Sequence, residues 1–290
     1  CHDHHRIDWL VYTSALPRDH PELLAAQELG IKVTKRDELL ARILSEKNLK
    51  LIAISGTHGK TTTTAMVVWV LTRLGVPISY SVGASLNFGP SGLFNPSSKY
   101  FVYECDEFDR NFLNFSPYLS LLTSIDYDHA DTYPSETDYI DAFKHFIHQS
   151  DNTIMWCSDN EKIQATAKDG WILGEDEVIN IDIRGAHNRR NATLVTKAVE
   201  HLSLGSQDQA LSALLTFPGT SRRFERLADN LYSDYGHHPV EIEATLQLAQ
   251  ELSDQVVLVY QPHQNVRQHE IRDQYHNSFE NAQSIYWLPT

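Results

Sequence analysis

The segment Gly56-Thr57-His58-Gly59-Lys60-Thr61-Thr62 carries the residue types needed to hold a polyphosphate. Its two glycines let the main chain approach phosphate oxygens without a Cβ in the way. The Lys60 ammonium would reach the outer phosphates, and the Thr61 hydroxyl would hold Mg2+. Residues 51–54 before it are apolar and read as a buried parallel strand, while 63–71 after it read as a helix packed on that strand. Strand, glycine turn and helix together aim backbone N–H groups and a helix N-terminus at an anion. The common P-loop has four residues between its glycines. That spacing would put a glycine at position 54, where Ile54 stands, so this loop is shorter by two.

Other chemistry-bearing residues follow predicted strands. Glu104, Asp106 and Glu107 come just after an apolar run, where a carboxylate can serve a Mg2+–nucleotide site. Asp128-His129 repeats the pattern one strand later and suits a second divalent ion or the ordering of an attacking group. Asn188 and Asn191 open a helix on one face, where amides can read a base edge or cap the helix. Arg222-Arg223 follows a Pro-Gly hinge, which suits a guanidinium clamp on a γ-phosphate or a surface ion pair. Asp234, Tyr235, His237 and His238 precede Pro239 at a strand-to-helix turn and make a nucleoside and substrate site. Gln261-Pro262-His263-Gln264 and Arg267 occupy the equivalent place after the next strand. The terminal Cys1-His2-Asp3-His4-His5 is rich in metal-ligand types but reads as a frayed end.

The elements that must position these residues read as α/β. With 290 residues the chain is long for one domain. Residues 1–47 alternate strand and helix, but they are too few to bury a core alone and look like the last part of a larger domain. A central unit over 48–220 has strands at 51–54, 78–82, 100–104, 119–123 and 153–156, with helices at 61–74, 136–148, 189–203 and 207–215. That alternation predicts a doubly wound, mostly parallel sheet with ligands at the carboxyl ends of its strands. Residues 221–290 give strand 231–233, helix 239–252, strand 256–260, helix 270–279 and strand 284–288, without a finished sheet. The expected fold is a central sheet with a P-loop, flanked by partial Rossmann-like units at both ends.

Composition narrows the partners. A formal charge of −14 with no basic stripe argues against nucleic acid and anionic membranes. An anionic substrate must then be met by local cations, helix ends and metal. No apolar run approaches a membrane span, and the three dispersed cysteines fit reduced thiols in a cytoplasm.

In order along the chain, Gly-Thr-His-Gly-Lys-Thr-Thr-Thr-Thr at 56–64, Glu-x-Asp-Glu at 104–107, Asp-His-x-Asp-Thr-Tyr at 128–133 and His-Asn-x-x-Asn at 187–191 are followed by Gly-Thr-x-Arg-Arg-Phe at 219–224, Asp-Tyr-Gly-His-His-Pro at 234–239 and Gln-Pro-His at 261–263. This set resembles the Mur ligases, ATP-dependent amide-forming enzymes of peptidoglycan assembly, over nearly the whole chain. The Tyr-Gly-His-His-Pro form resembles the alanine-adding branch, which implies UDP-N-acetylmuramate and L-alanine as substrates, with ATP and Mg2+ as cofactors. The likeness implies that residues 56–62 and Lys60 hold phosphates, and that Thr61 and Glu104 hold one Mg2+ and His129 a second. It implies that Asn188 and Asn191 contact adenine, that Asp234 and Tyr235 contact ribose and base, and that Arg223 contacts the γ-phosphate. His237, His238 and Arg267 would lie near the incoming amino acid.

The implied reaction activates a muramic-acid carboxylate as an acyl phosphate, which the amine then attacks, in a monomer or homodimer. The chain differs from the family where Ser124 replaces a usual Asn and Gln264 a usual Arg, and it is short between Gly174 and Gly185. On this resemblance residues 1–47 are the tail of a UDP-sugar-binding domain and the C-terminal ligase domain is partial. The polypeptide is therefore expected to bind nucleotide without completing a cycle. Two further expectations are a recycling ligase that adds a peptide to the same sugar, and a nucleotide-binding relative without chemistry.

Overall fold

The computed structural model describes residues 7–163, 170–262 and 272–289. Its centre is a seven-stranded sheet. In chain order the sheet contains β3 (Lys50–Ser55), β4 (Ile78–Ser81), β5 (Gly92–Leu93), β6 (Tyr100–Glu104), β7 (Leu119–Leu122), β8 (Thr153–Trp156) and β9 (Gly170–Leu173), arranged in space as β5-β4-β6-β3-β7-β8-β9. All neighbours run parallel except the short β4–β5 pair.

Strand β3 shows why the sheet is covered on both faces. Ile52 and Ile54 join a core cluster with Met66, Val70, Leu194 and Val195, while Leu51 and Ala53 join another with Phe112, Phe143 and Phe146. The period-two alternation of a strand sends these neighbours to opposite sides. Helices α3 (Lys60–Arg73), α6 (Ala186–His201) and α7 (Gln207–Leu214) cover the first face. The second is covered by α4 (Glu136–Gln149) and by α2 (Arg36–Glu46), whose Leu44 enters that core.

The chain leaves β3, passes through β4 to β6 on one side, then crosses to β7 on the other. This reversal of strand order opens a crevice at the carboxyl edge of β3, where doubly wound sheets bind ligands. The loops after β3, β6 and β7 all empty there; they carry residues 56–59, 105–107 and 123–129, with Glu104 ending β6 and Lys60 to Thr62 opening α3 beside them.

Two smaller sheets confirm the expected flanking strands. Strands β1 (Trp9–Tyr12) and β2 (Lys32–Lys35) pair in parallel, with α1 (Pro21–Glu28) between them. Beyond the central sheet, β12 (Val257–Tyr260) pairs in parallel with β13 (Ser284–Trp287) and packs on α8 (Pro239–Gln250) through Ile242, Leu246 and Tyr260.

Several expectations need correcting. The strand at 231–233, β11 (Leu231–Ser233), belongs to no parallel unit; it forms an antiparallel hairpin with β10 (Glu225–Ala228) across Asp229-Asn230. Asn230 takes the left-handed backbone (φ 58°) that such a tight turn needs. The described part of the helix expected at 270–279 is a 3-10 turn, Arg272–Tyr275, followed by further turns. Tyr275 and Phe279 still stack on each other beneath β12 and β13, so the apolar spacing that suggested a helix is met without one. Strands β5 and β9 and the short helix α5 (Cys157–Ile163) were not anticipated, because each is too brief for a clear period. Among the described residues no helix is long and apolar enough to cross a membrane.

Candidate active site

The loop between β3 and α3 is fixed by what glycine alone permits. Gly56 lies at φ 128° and Gly59 at φ 81°. A Cβ on Gly56 would sit 2.7 Å from the Ser124 carbonyl oxygen, and one on Gly59 would sit 3.1 Å from Asn191 Oδ1. The loop is therefore pressed against the β7 exit and against α6. Thr57 N–H donates to Ser124 O (2.9 Å), and His58 N–H to Ser124 Oγ (3.0 Å). Ser124 thus braces the loop with its own hydroxyl. Gly59 caps α3 without any side-chain hydrogen bond, so the first N–H groups of the helix point into the crevice.

Lys60 lies deep in this loop. Its ammonium donates to Gly56 O (2.7 Å) and to both Glu107 carboxylate oxygens (2.7 and 3.0 Å). Burial would lower its pKa, but the charges of Glu107 and Asp106 prevail and raise it to about 12. Glu107 is fully buried, which by itself would raise its pKa; Lys60 and then His129 pull it down to about 2. Lysine and glutamate are held as an ion pair.

Two donor sets adjoin that pair. Thr61 Oγ1 donates to Glu104 Oε1 (2.8 Å), giving a hydroxyl and a carboxylate at one point. His129 Nε2 lies 3.5 Å from Glu107 Oε1, and with Asp106 these two form a cluster whose ligand atoms all fall within 4.8 Å of one another. His129 itself has a left-handed backbone (φ 58°), with its N–H bonded to Asp128 Oδ1 (2.6 Å). A non-glycine residue held so costs on the order of 1–3 kcal/mol, and such strain gathers at sites where a side chain must be aimed. Oxygen-rich sets with one imidazole suit a hard divalent cation such as Mg2+.

A cavity of about 640 Å3 runs from the phosphate loop and the start of α3 toward α8. Its walls include His58, Thr61, Thr62, Asn191, Arg223 and Asp234. The Asn191 Nδ2 amide is buried with no hydrogen-bond partner, as a donor reserved for a ligand would be. Asn188, on the same helix end, donates to Arg184 O (3.0 Å), so its amide also stabilises the turn. The glycine cradle, the unpartnered amide and the two donor sets fit a metal-bound nucleotide.

The opposite wall is built on either side of the β10–β11 hairpin. Arg222 and Phe224 both adopt left-handed backbone (φ 61° and 47°), which sets Arg223 between them facing the cavity. Asp234 accepts from Phe224 N–H (2.7 Å) and Gly236 N–H (2.6 Å), fixing this turn. Tyr235 lies under the Arg222 guanidinium, 4.4 Å from its ring centre, and is not among the residues lining the cavity. His238 caps α8, and its ring lies 4.5 Å from that of His58. Burial and then the charge of His58 lower its pKa to about 4. His237 Nδ1 lies 3.5 Å from Glu241 Oε2. Arg267, His263 and Gln264 lie outside the described residues, as does the histidine-rich start.

Sequence reasoning missed two acids in this site. Glu107 appeared only as one of several acids after β6, and Glu241 was not singled out at all. The Glu-x-Asp-Glu run held the signal for the first; for the second, position three of a helix capped by His238 was the only hint.

Family models match two stretches: the Mur ligase middle domain over residues 54–200, and the Mur ligase family catalytic domain over 1–48. A UDP-N-acetylmuramate–L-alanine ligase of Desulfosudis oleivorans is 34% identical, with 97% of this chain and 70% of the relative aligned. The same ligase of Salinispora arenicola is 32% identical over 92% of this chain. The chain spans 60% of the length of the Salinispora arenicola relative and 64% of that of a Carboxydothermus hydrogenoformans relative. Among solved structures, UDP-N-acetylmuramate–alanine ligase from Thermotoga maritima superposes with a TM-score of 0.78 at 24% identity, covering 98% of this chain and 77% of its own. A murein peptide ligase from Psychrobacter arcticus gives 0.71 at 23% identity, covering 97% and 71%. At these identities the structural likeness speaks to the fold.

Proposed function

Because this chain belongs to the Mur ligase family, we propose that it joins L-alanine to UDP-N-acetylmuramate in an ATP-dependent, amide-forming reaction that passes through an acyl phosphate. The observation that carries the reading is the convergence of Lys60, Glu107 and His129, and of Thr61 and Glu104, around the phosphate loop, whose residues His58, Gly59, Thr61 and Thr62 line a cavity that Asn191 and Arg223 also line. On this reading residues 1–47 end the UDP-sugar-binding domain, 48–220 bind ATP, and 221–290 belong to the C-terminal ligase domain. Work in the cytoplasm follows from the nature of these substrates.

The residues divide the chemistry among them. Residues 56–62 cradle the phosphates with backbone N–H groups. Asn188 and Asn191 hold the adenine and Asp234 serves the ribose, while Tyr235, which does not line the cavity here, is assigned to the base by the family likeness alone. Thr61 with Glu104, and His129 with Glu107 and Asp106, would hold Mg2+, which supplies neutralising charge to the phosphates. Lys60 and Arg223 carry positive charge to the phosphoryl group as it moves to the sugar-borne carboxylate, the main help a protein gives such transfers. His237 and His238 are assigned to the incoming amino acid, as is Arg267 on the family likeness alone, since it lies outside the described residues.

The test is phosphate release by the full-length protein with ATP, Mg2+ and UDP-N-acetylmuramate. Release should depend on added L-alanine. Preference for a ready-made tripeptide as acceptor would instead mark a recycling ligase, and the absence of release with any amine would sink the proposal.

A further inference from the structure

On the ligase reading just given, on which this inference rests, we propose that Glu241 is a positioning residue that sets Arg223 against the terminal phosphate of the bound nucleotide.

The two oxygens of this carboxylate have different surroundings. Oε2 accepts the backbone N–H of His237 (3.1 Å) and of His238 (3.3 Å), which ties the side chain to the start of α8. Oε1 is turned across the cavity, 3.6 Å from His58 Nδ1 and 3.7 Å from Arg223 Nη1. One oxygen is anchored; the other is presented to the phosphate loop and to the arginine together. Only 15% of the side chain is exposed, and it borders the cavity that Arg223 also lines.

An arginine carries much rotamer freedom, and a fixed anion on its flank restricts where the guanidinium fork can point. Arg223 is already held at its backbone between two left-handed residues, so Glu241 restrains the remaining part, the far end of the side chain. His58, Arg223 and Glu241 come from three separate segments, and this carboxylate joins them at a single point. Its charge is secure: burial works against it, but His58, His237 and Arg223 keep its pKa well below the usual range.

A merely structural glutamate would affect ATP and ADP alike, whereas one acting through Arg223 acts on the γ-phosphate alone. The experiment measures Mg-ATP and Mg-ADP affinity by calorimetry on the full-length protein without the sugar substrate, for wild type, E241Q, R223A and the double variant. Melting temperatures are taken for each. The wild type should favour ATP, and E241Q should lose about tenfold of that preference, the scale of one charge-assisted contact. In the R223A background E241Q should add nothing further. E241D keeps the charge on a shorter arm that can hold the amides but not reach Arg223, so it should show the same loss even if E241Q folds poorly.

An unchanged ATP-to-ADP ratio in folded E241Q or E241D overturns the inference. So does equal weakening of both nucleotides, or an effect that persists without Arg223. If the wild type releases phosphate in response to alanine while the ratio is unchanged, the ligase reading stands and this inference alone falls. A wild-type protein that binds no Mg-ATP removes both.

Discussion

At the scale of single residues, the site turns on a buried ion pair. Lys60 is the residue most easily picked out from the sequence, yet its partner Glu107 was one acid among Glu104, Asp106, Glu107 and Asp109. Spacing says that acids leave β6; it does not say which of them turns inward. In the structure Cys105 and Glu107 are both fully buried while Asp106 between them is partly exposed, so Glu107 follows the inward alternation of the strand beyond its end. A consequence is that Lys60 is structural as well as chemical. Lys60→Met would leave the Glu107 carboxylate buried without its ammonium, at a cost of about 3–5 kcal/mol. Urea denaturation should record that loss, and the double variant Lys60→Met, Glu107→Gln should lose clearly less because no charge is then stranded. Equal losses in the two would refute the pairing.

At the scale of elements, the phosphate loop was legible because its demands are local. Glycine, lysine and hydroxyl occur in a fixed order between an apolar strand and a helix, and the structure gives that arrangement without adjustment. Gly56→Ala should abolish nucleotide binding and lower the melting temperature, since φ 128° and the Ser124 carbonyl at 2.7 Å leave no room for a methyl group. Unchanged ATP affinity in that variant would show that the loop does not need its glycine. The hairpin β10–β11 was not legible. Its strands are short and exposed, and their pairing rests on the Asp229-Asn230 turn more than on any apolar pattern.

The start of α8 makes a pH-dependent contribution. Burial, with His58 next, lowers the pKa of His238 from 6.5 to about 4. As pH falls below 6.5 the unfolded chain takes up this proton and the folded chain does not, so stability declines from 6.5 down to about 4. His238→Asn, which can still cap the helix, should make the decline between those limits shallower in denaturation curves. A slope identical to that of the wild type would contradict it.

At the scale of the whole molecule, the sequence disclosed the order of the motifs but not how they meet. Alternating strand and helix gave the parallel sheet, and the crossover from β6 to β7 around β3 placed three loops on one edge. Nothing in the order of residues foretold that α8 would lie against the phosphate loop, or that the start of α6 would be bound to α8. That second junction is made by Arg189 with Glu251 (2.9 Å) and by Glu251 accepting Gly185 N–H (2.9 Å). These are long-range contacts between exposed or half-buried polar groups, which leave no period in the sequence to read. They make the cavity a shared product of separate segments, as a ligase needs if it is to shield an acyl phosphate from water.

The central claim is that a sugar-borne carboxylate attacks the terminal phosphate of ATP in this cavity. The most direct measurement uses UDP-N-acetylmuramate whose carboxylate carries heavy oxygen, with ATP, Mg2+ and L-alanine, followed by mass analysis of the released phosphate. One labelled oxygen should appear in that phosphate and the other should remain in the amide. Phosphate released without label, its new oxygen drawn from water, would contradict the account.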